Sequence, residues 1–402
     1  MFGGLLIQVA LGVGYVIAAR CVVKWGKGSS RDILFATLNI LALYLFQFFG
    51  KDIRLFPTFI TYLILVLFQY VTVRLFAMQT GWKAGVAFFT PLIALVLIRY
   101  APTTNLCGNL LPCGSLFIGI SYLAFRSSYL VLEVRNSAVK MPSLFEYIGF
   151  CFFAPTMSVG PINTYSNHRR GFDGVAPVIP VGRAMLRLLV GLVKFKFLGA
   201  VCFQLTYTNL LMDDHYHHWI DLPVAVVFYY LFLYCNFSGF CDAAIGVAGL
   251  IGIPVAENFD NPFAARNVKD FWNRWHITLS QYMRDVVFSP LSKYLVRLFG
   301  PANANHAVAL TILVVFILVG VWHGVGWHFA AFGAVHAIGV ICNHYYTIIL
   351  KKRLGRDGFK AYNENRLIGG IATAATFCFC AASLFLFANT LQEMRQIFSM
   401  LR

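Results

Sequence analysis

Long apolar runs alternate with short polar breaks along most of the chain. Because a helix of about 20 apolar residues crosses the hydrocarbon core of a bilayer, each run of that length predicts a membrane span, and we expect about ten to twelve spans. Two shorter pieces, at 116–132 and 241–254, are ambiguous. The runs of spanning length lie near residues 3–19, 33–49, 57–77, 82–99, 144–160, 186–211, 222–240, 307–322, 327–350 and 368–390.

Two apolar stretches are interrupted by Gly, Pro or polar residues. They are "FFAPTMSVGPI" (152–162) and "NFSGFCDAAIG" (236–246), and both look too broken to cross a bilayer alone. Non-helical backbone at membrane depth persists only where protein or a water-filled cavity satisfies its hydrogen bonds. We therefore expect both breaks to face a cavity inside the protein.

The segment Asn261 to Leu291, "NPFAARNVKDFWNRWHITLSQYMRDVVFSPL", has a helical period but many polar residues. Trp272, His276 and Ser280 are spaced four apart, which predicts one helical face. The segment is too polar for a span that faces lipid. It predicts re-entrant or interfacial helices packed against the cavity.

The composition agrees with an integral membrane protein. The 402 residues are 59% hydrophobic and 12% charged, with a mean hydropathy of +0.70, whereas a soluble domain carries about 25% charged residues. The first run has no basic residues before it, so we interpret it as a span and not as a signal peptide. No linker divides the chain. We expect an all-α, polytopic transmembrane fold that forms one membrane-embedded domain over residues 1–402.

The charge is strongly basic, with 32 Lys and Arg against 16 Asp and Glu. These residues are scattered through short loops, which is typical of membrane topology and contact with anionic lipid and argues against nucleic-acid binding. By the positive-inside rule, the basic residues after the first run place the N-terminus outside and the loop from Lys351 in the cytoplasm. The basic residues after the first run are Arg20, Lys24, Lys27 and Arg31.

Most of the ten cysteines lie in apolar runs, where a free thiol behaves as a small hydrophobic group. Cys107 and Cys113 are placed to pair if their loop faces an oxidising compartment, and the sequence leaves this open. "MDDHYHHW" (212–219) contains side chains of the kind that bind divalent metals. We interpret it as a polar loop between spans and expect no metal.

Polar side chains within membrane sequence are costly and often mark a site. A single histidine is equally well explained as a structural residue, hydrogen-bonded to backbone carbonyls. Three clusters stand out: His276 with Asn273 and Arg274; His323 with Trp322; and Asn236 with Ser238 and Asp242.

Spacing separates the histidines near the second cluster. On one straight helix, His323 and His336 would lie about 20 Å apart and would not share a small site. Three glycines lie within three residues of His323, which predicts close approach by a substrate or another helix. We interpret His328 and His336 as structural.

A neutral histidine in an enclosed cavity suits general-base catalysis, in which it removes the proton of a hydroxyl that attacks an activated acyl group. Burial favours the neutral ring. The chain has no HExxH, GxSxG or Walker A motif. From the residues alone, a membrane-embedded transferase and a transporter both stay open.

Five stretches together resemble the membrane-bound O-acyltransferase family, over about residues 119–336: "ENFDNPFAARNVKDFWNRWHITLS", "GVWHG", "YCNFSGFCDAAIG", "GISYLAFRSSYLVLEV" and "FFAPTMSVGPI". The resemblance implies a ring of helices around a central tunnel, with re-entrant helices. It also implies that His323 is the catalytic histidine and His276 a second functional one. Candidates for lining the tunnel are Asn273, Trp272, Trp322, Asn236, Ser238 and Asp242.

Within the family, the chain looks most similar to members that transfer D-alanine during teichoic acid modification. The grounds are its length, Asn273 in "FWNRWH" and the "APTMSVGPI" stretch, whereas relatives of alginate acetylase usually read "FWRRWH" followed by "PLGGN". Here "SPLSKYLVRLFG" departs from that second element.

This likeness implies a donor and partners. The donor is a thioester on the phosphopantetheine of a small acidic carrier protein at the cytoplasmic face, with no tightly bound cofactor. A separate extracytoplasmic acyltransferase completes the transfer, and the protein lies in the bacterial cytoplasmic membrane. Two alternatives stay open: an O-acetyltransferase that uses acetyl-CoA to modify an exopolysaccharide or peptidoglycan, and a non-catalytic transporter or scaffold.

Overall fold

A computed structural model of the chain describes residues 2–49, 56–100, 119–175, 177, 179–212 and 215–401. The regular structure of these residues is helical, with two isolated backbone bridges besides. Cys107, Cys113, Asp213 and Asp214 lie outside the described residues. The helices are α1 (Phe2–Trp25), α2 (Gly28–Gln47), α3 (Phe56–Phe76), α4 (Trp82–Tyr100), α5 (Ile120–Arg135), α6 (Leu144–Cys151), α7 (Tyr165–Phe172), α8 (Val181–Leu192), α9 (Gly199–Phe203), α10 (Tyr207–Leu210), α11 (Asp221–Ile251), α12 (Val268–Arg274), α13 (Ile277–Met283), α14 (Ser289–Phe299), α15 (Ala304–His323), α16 (Trp327–Glu364), α17 (Arg366–Ala388) and α18 (Leu391–Met400).

Nine helical segments in the described part of the chain are long and apolar enough to cross a membrane. They confirm the predicted all-α, polytopic class. The sequence predicted about ten to twelve spans, and one difference lies in the run at 144–160, where α6 ends at Cys151. The nine segments are Ile7–Trp25, Gly28–Gln47, Phe56–Phe76, Trp82–Tyr100, Val181–Leu210, Asp221–Ile251, Pro301–His323, Trp327–Glu364 and Arg366–Ala388.

The two stretches expected to be broken behave differently. "FFAPTMSVGPI" is broken, because a short 3₁₀ turn at Ala154–Thr156 follows α6. The buried guanidinium of Arg126 donates there to the carbonyls of Phe150 and Cys151, at 3.2 and 2.9 Å. The expectation for "NFSGFCDAAIG" is wrong, because this stretch lies within the continuous helix α11. A helix satisfies its own backbone hydrogen bonds, so its glycines are tolerated there.

The internal contacts divide the chain into two compact units. The first contains Met1–Gly191 and Phe240–Ala256, and the second contains Leu192–Gly239 and Glu257–Arg402. The single membrane domain expected over residues 1–402 stays a prediction.

The second unit contains all the histidines that the sequence singled out. Aromatic side chains from α11, α12, α16 and α17 form its core, which includes the buried residues Tyr230, Phe271, Trp275 and Phe332. Helices α15 and α16 follow each other directly and pack side by side. A Cβ at Gly320 on α15 would overlap the Phe329 carbonyl oxygen of α16, so this approach requires glycine.

The predicted single helical face through Trp272, His276 and Ser280 is wrong. Helix α12 ends at Arg274 and α13 begins at Ile277, with His276 at the junction. Each helix has seven residues, too few to cross a bilayer. The three residues are spaced four apart, but the chain turns at His276, so they do not share one helical face.

Candidate active site

His276 occupies the break between α12 and α13. Its backbone is in the left-handed region, with φ 45° and ψ 52°, which costs a residue with a Cβ about 1–2 kcal/mol. The Ile277 N–H donates to the Asn258 carbonyl at 3.0 Å and ties the break to the preceding segment. His276 is 3% exposed. Strained residues of this kind cluster at functional sites, where the surrounding structure fixes them.

The side chain of Asn258 determines which ring nitrogen of His276 carries the hydrogen. Its Oδ1 accepts hydrogen bonds from the Thr278 N–H at 3.1 Å and the Thr278 hydroxyl at 2.9 Å. His276 Nδ1 lies 3.1 Å from the same oxygen and therefore donates to it. This tautomer leaves a lone pair on Nε2, and Nε2 is buried without a hydrogen-bond partner in the described part of the chain.

The ring of His276 is neutral at physiological pH. Burial, with a smaller contribution from His323, lowers the pKa of His276 from 6.5 to about 3. Its Nε2 is therefore a hydrogen-bond acceptor, and the imidazole is a weak base.

His323 is the last residue of α15 and is half-buried. Its ring centroid lies 4.6 Å from that of Trp322 and 5.0 Å from that of Phe387. The Trp322 ring is also 6.2 Å from the ring of His276. Trp322 therefore lies against both predicted catalytic histidines.

The predicted separation of His323 and His336 is wrong, because its premise of one straight helix fails. Helix α15 ends at His323, Gly324 is extended with φ −178°, and α16 begins at Trp327. The chain folds back at this point. Both histidines consequently line the same chamber.

This histidine chamber has a volume of about 70 Å³. Apart from three histidines, its lining is aromatic and aliphatic, with the Cys380 thiol. Electrostatic interactions are strong in such surroundings, because little solvent screens them. The lining residues are Tyr230, Leu233, Phe237, Phe271, Trp272, Trp275, His276, His323, Phe332, His336, Cys380, Leu384 and Phe387.

His336 has both ring nitrogens engaged. The Ser383 hydroxyl donates to the Cys380 carbonyl at 2.8 Å, so His336 Nε2, 2.8 Å from that hydroxyl oxygen, is the donor of their bond. Nδ1 then accepts from the Trp272 indole N–H at 3.1 Å. Because neither nitrogen is open to a substrate, His336 fits the structural part expected from the sequence.

A second, larger cavity of about 490 Å³ lies on the other side of Trp272, which lines both cavities. Its lining is mostly apolar, with the cationic side chains Lys269 and Arg284 among it. Asn273 lines this cavity, and its Oδ1 accepts from Arg284 at 3.2 Å. The lining residues are Lys269, Trp272, Asn273, Leu279, Ser280, Met283, Arg284, Phe288, Val308, Ile312, Val315, Phe316, Val319, Val340 and His344.

Four of the six predicted tunnel residues line neither cavity: Trp322, Asn236, Ser238 and Asp242. Trp322 nevertheless lies against the two histidines. Asp242 forms an ion pair with Arg187 at 2.9 Å. The residue of this motif that reaches the site is Phe237, whose ring lies 4.8 Å from that of His276.

Sequence reasoning missed Asn258 as a site residue. It lies within the quoted "ENFDNPF", but 18 residues before His276 and outside any helix. Helical spacing therefore gave no signal. The sequence offered only its position directly ahead of a segment already expected to line a cavity.

The family model of the membrane-bound O-acyltransferases matches residues 34–384, a longer match than the predicted 119–336. The chain belongs to this family, which confirms the resemblance and the predicted class of O-acyltransferase. It is accordingly a multi-pass membrane protein that uses an acyl donor.

Individual members of the family differ in how much of the chain they match. The chain is 30% identical to the teichoic acid D-alanyltransferase of Streptococcus thermophilus, over 78% of this chain and 77% of the relative. It is 29% identical to the protein of the same name in Bacillus subtilis, over 68% and 69%. It is 37% identical to the peptidoglycan O-acetyltransferase of Helicobacter pylori, over 30% of this chain and 21% of the relative.

Proposed function

We propose that the protein transfers D-alanyl groups from a carrier-bound thioester to hydroxyls of teichoic acid. It lies in the bacterial cytoplasmic membrane with its N-terminus outside. Relatives that carry the name teichoic acid D-alanyltransferase match most of the chain, which supports this substrate. The observation that carries the proposal is the histidine chamber, which His276 and His323 both line, beside the larger cavity.

The larger cavity takes the phosphopantetheine arm of a small acidic carrier protein. Its apolar lining suits the arm, and Lys269 and Arg284 suit the phosphate that links the arm to the carrier. The exposed Lys293 and Arg297 on α14 attract the carrier by charge. The narrow histidine chamber suits a small acyl group such as D-alanyl and disfavours a fatty acyl chain.

His323 is the general base. The acceptor oxygen attacks the thioester carbonyl, and the new C–O bond forms as the C–S bond breaks. The hydroxyl proton passes to His323 and then to the departing thiolate, so the proton count balances. His323 suits this part because it is less buried than His276 and lines the same chamber.

His276 is a positioning acceptor. With Nδ1–H fixed on Asn258, its Nε2 accepts a hydrogen bond from His323 once His323 has taken the proton. Trp272, held by His336, closes the wall between the two cavities and aligns the end of the arm. A separate extracytoplasmic acyltransferase is the partner with which the protein completes the transfer to teichoic acid.

The test is transfer from a D-alanyl carrier thioester by the purified full-length protein. We expect His323→Ala to lower turnover by about 10²–10⁴-fold, the usual contribution of a general base. His306→Ala is the matched control, because His306 is an exposed histidine on the same helix. Near-normal turnover of His323→Ala, with normal insertion, would reject this assignment, and the absence of transfer by the wild-type protein would favour a transporter or scaffold.

The second candidate is an O-acetyltransferase that uses acetyl-CoA. The similarity to a peptidoglycan O-acetyltransferase favours it, and the histidine chamber is small enough for acetyl as well. Offering the two donors separately discriminates between the candidates. Robust transfer from acetyl-CoA without any carrier protein would replace the D-alanyl proposal.

A further inference from the structure

A separate polar cavity of about 100 Å³ lies near the end of α16 and the start of α17. It shares no lining residue with the histidine chamber or the larger cavity. Its polar lining includes Arg266, Asn267, Asn343, Thr347 and Asn363. The proposed acyl transfer uses none of these side chains.

A turn within α16 creates this polar cavity, which we call the headgroup cavity. Gly355 has φ 64°, which splits α16 into two helices. The hydroxyls of Tyr346 and Tyr362 lie 2.9 Å apart, although these residues would be about 24 Å apart along a straight helix. The chain after Gly355 therefore folds back and supplies the second wall, which includes Phe359.

Arg266 is the cationic group of the headgroup cavity. Its Nη1 donates to the Asn363 carbonyl at 2.7 Å. A Cβ at Gly369 would lie 3.1 Å from Arg266 Cζ, whereas a Cβ at Gly370 would meet nothing within 4 Å. The guanidinium thus rests on a glycine of α17. It has no carboxylate ion pair among the described residues, and a guanidinium has five N–H donors, so donors are available to an anion.

The surroundings combine basic and apolar surface. Lys351, Lys352 and Arg353 are exposed next to the headgroup cavity, and basic groups at the end of a membrane span attract anionic lipid. Leu367 and Ile371, on α17 beside it, are 74% and 63% exposed. A single lipid molecule can place its phosphate in the cavity and its acyl chain along this exposed apolar surface.

We propose that the headgroup cavity binds the phosphate of an anionic phospholipid, with Arg266 as the principal contact. Soluble phosphate shares the charge chemistry, but the neighbouring apolar surface favours a lipid. The proposal is independent of the acyl donor and acceptor.

The experiment measures phosphatidylglycerol retained by the full-length protein, using native mass spectrometry with phosphatidylcholine as competitor. We expect wild type to retain phosphatidylglycerol selectively. Arg266→Gln and Gly369→Ala should each weaken retention about tenfold or more, because the first removes the charge and the second displaces it. Gly370→Ala is the matched control and should retain the lipid as wild type does.

Three results would overturn the proposal. They are equal retention of phosphatidylcholine by wild type, unchanged retention in either Arg266→Gln or Gly369→Ala, and displacement of the lipid by millimolar inorganic phosphate or glycerol 1-phosphate. The last result would assign the cavity to a soluble phosphate. Because the competition in wild type needs no variant, the proposal stays testable even if a substitution prevents folding.

Discussion

His276 and His336 line the same chamber and are both almost fully buried, at 3% and 1% exposure. They differ in their hydrogen bonds. His336 is engaged at both nitrogens, by Trp272 and Ser383. His276 is engaged at Nδ1 only, and its Nε2 is buried without a hydrogen-bond partner among the described residues. Burial alone therefore does not distinguish these two histidines, whereas the number of engaged nitrogens does.

The backbone sharpens this contrast. His336 lies within the regular helix α16, where its main chain is unstrained. His276 lies in a left-handed junction that costs about 1–2 kcal/mol. The strained position is the one that leaves a nitrogen available, which fits a residue fixed for chemistry.

The largest effect within this pair is expected from His276→Asn. Asparagine tolerates the left-handed backbone, but its shorter side chain does not present an acceptor where Nε2 lies. We expect turnover to fall about 10²-fold, while carrier binding stays nearly intact because the carrier docks outside the chamber. Single-turnover transfer and a carrier binding assay measure the two parts. A folded variant with the wild-type rate would make His276 structural, like His336.

Asn258→Asp should change the pH dependence of turnover. The carboxylate replaces an amide oxygen beside His276 Nδ1–H, and the donors from Thr278 keep it ionised. It stabilises the imidazolium, so the pKa of His276 rises above its wild-type value of about 3. Protonation of His276 places a hydrogen on Nε2, which then no longer accepts a hydrogen bond. Turnover of the variant should therefore fall as the pH decreases, over a range where His276 of wild type does not titrate.

A pH series of single-turnover rates, from about pH 5 to 8 around the ordinary histidine pKa, measures this prediction. Asn258→Ala is the control, because it removes the positioning oxygen without adding charge. It should lower turnover at every pH. Identical profiles for wild type and Asn258→Asp would show that Asn258 does not act through His276.

His336→Leu should affect stability more than turnover. It leaves the Trp272 indole N–H and the Ser383 hydroxyl oxygen without their partner, and an unsatisfied buried donor costs about 1–3 kcal/mol. We expect a lower thermal unfolding temperature in detergent and a drop in turnover of less than about tenfold, because His336 supplies no reacting nitrogen. A loss as large as that of His276→Asn would erase the contrast between the two histidines.

The smallest effect should come from outside the chamber. Lys293→Glu on α14 should raise the KM for the acidic carrier several-fold at low salt, with kcat unchanged, since surface charges are screened over about 8–10 Å at physiological salt. The difference should fade in high salt. Lys140→Glu reverses another exposed lysine as the control. A change in kcat instead of KM would place Lys293 in the chemistry.

The sequence predicted the long helices, because the thickness of the bilayer requires about 20 apolar residues in each span. Apolar length predicted the nine long helices of the described residues, although the run at 144–160 is not one of them. Polar side chains within membrane sequence predicted His276 and His323 as candidate site residues. It did not predict the turn at His276, because Trp272, His276 and Ser280 also satisfy a continuous helix, and the turn depends on Asn258 from another segment. Likewise, the partner that engages His336 comes from α17, 47 residues later along the chain.

The cluster of Asn258, His276 and Thr278 has a consequence for the order in which the protein is made. Its members lie within 20 residues of one another, so this half of the site is synthesised as a unit. His323, at the end of α15, emerges from the ribosome later. Under the proposed mechanism, a nascent chain whose α15 is still in the ribosome carries the positioning half of the site without the proposed general base, and it becomes catalytically competent only when α15 has been inserted.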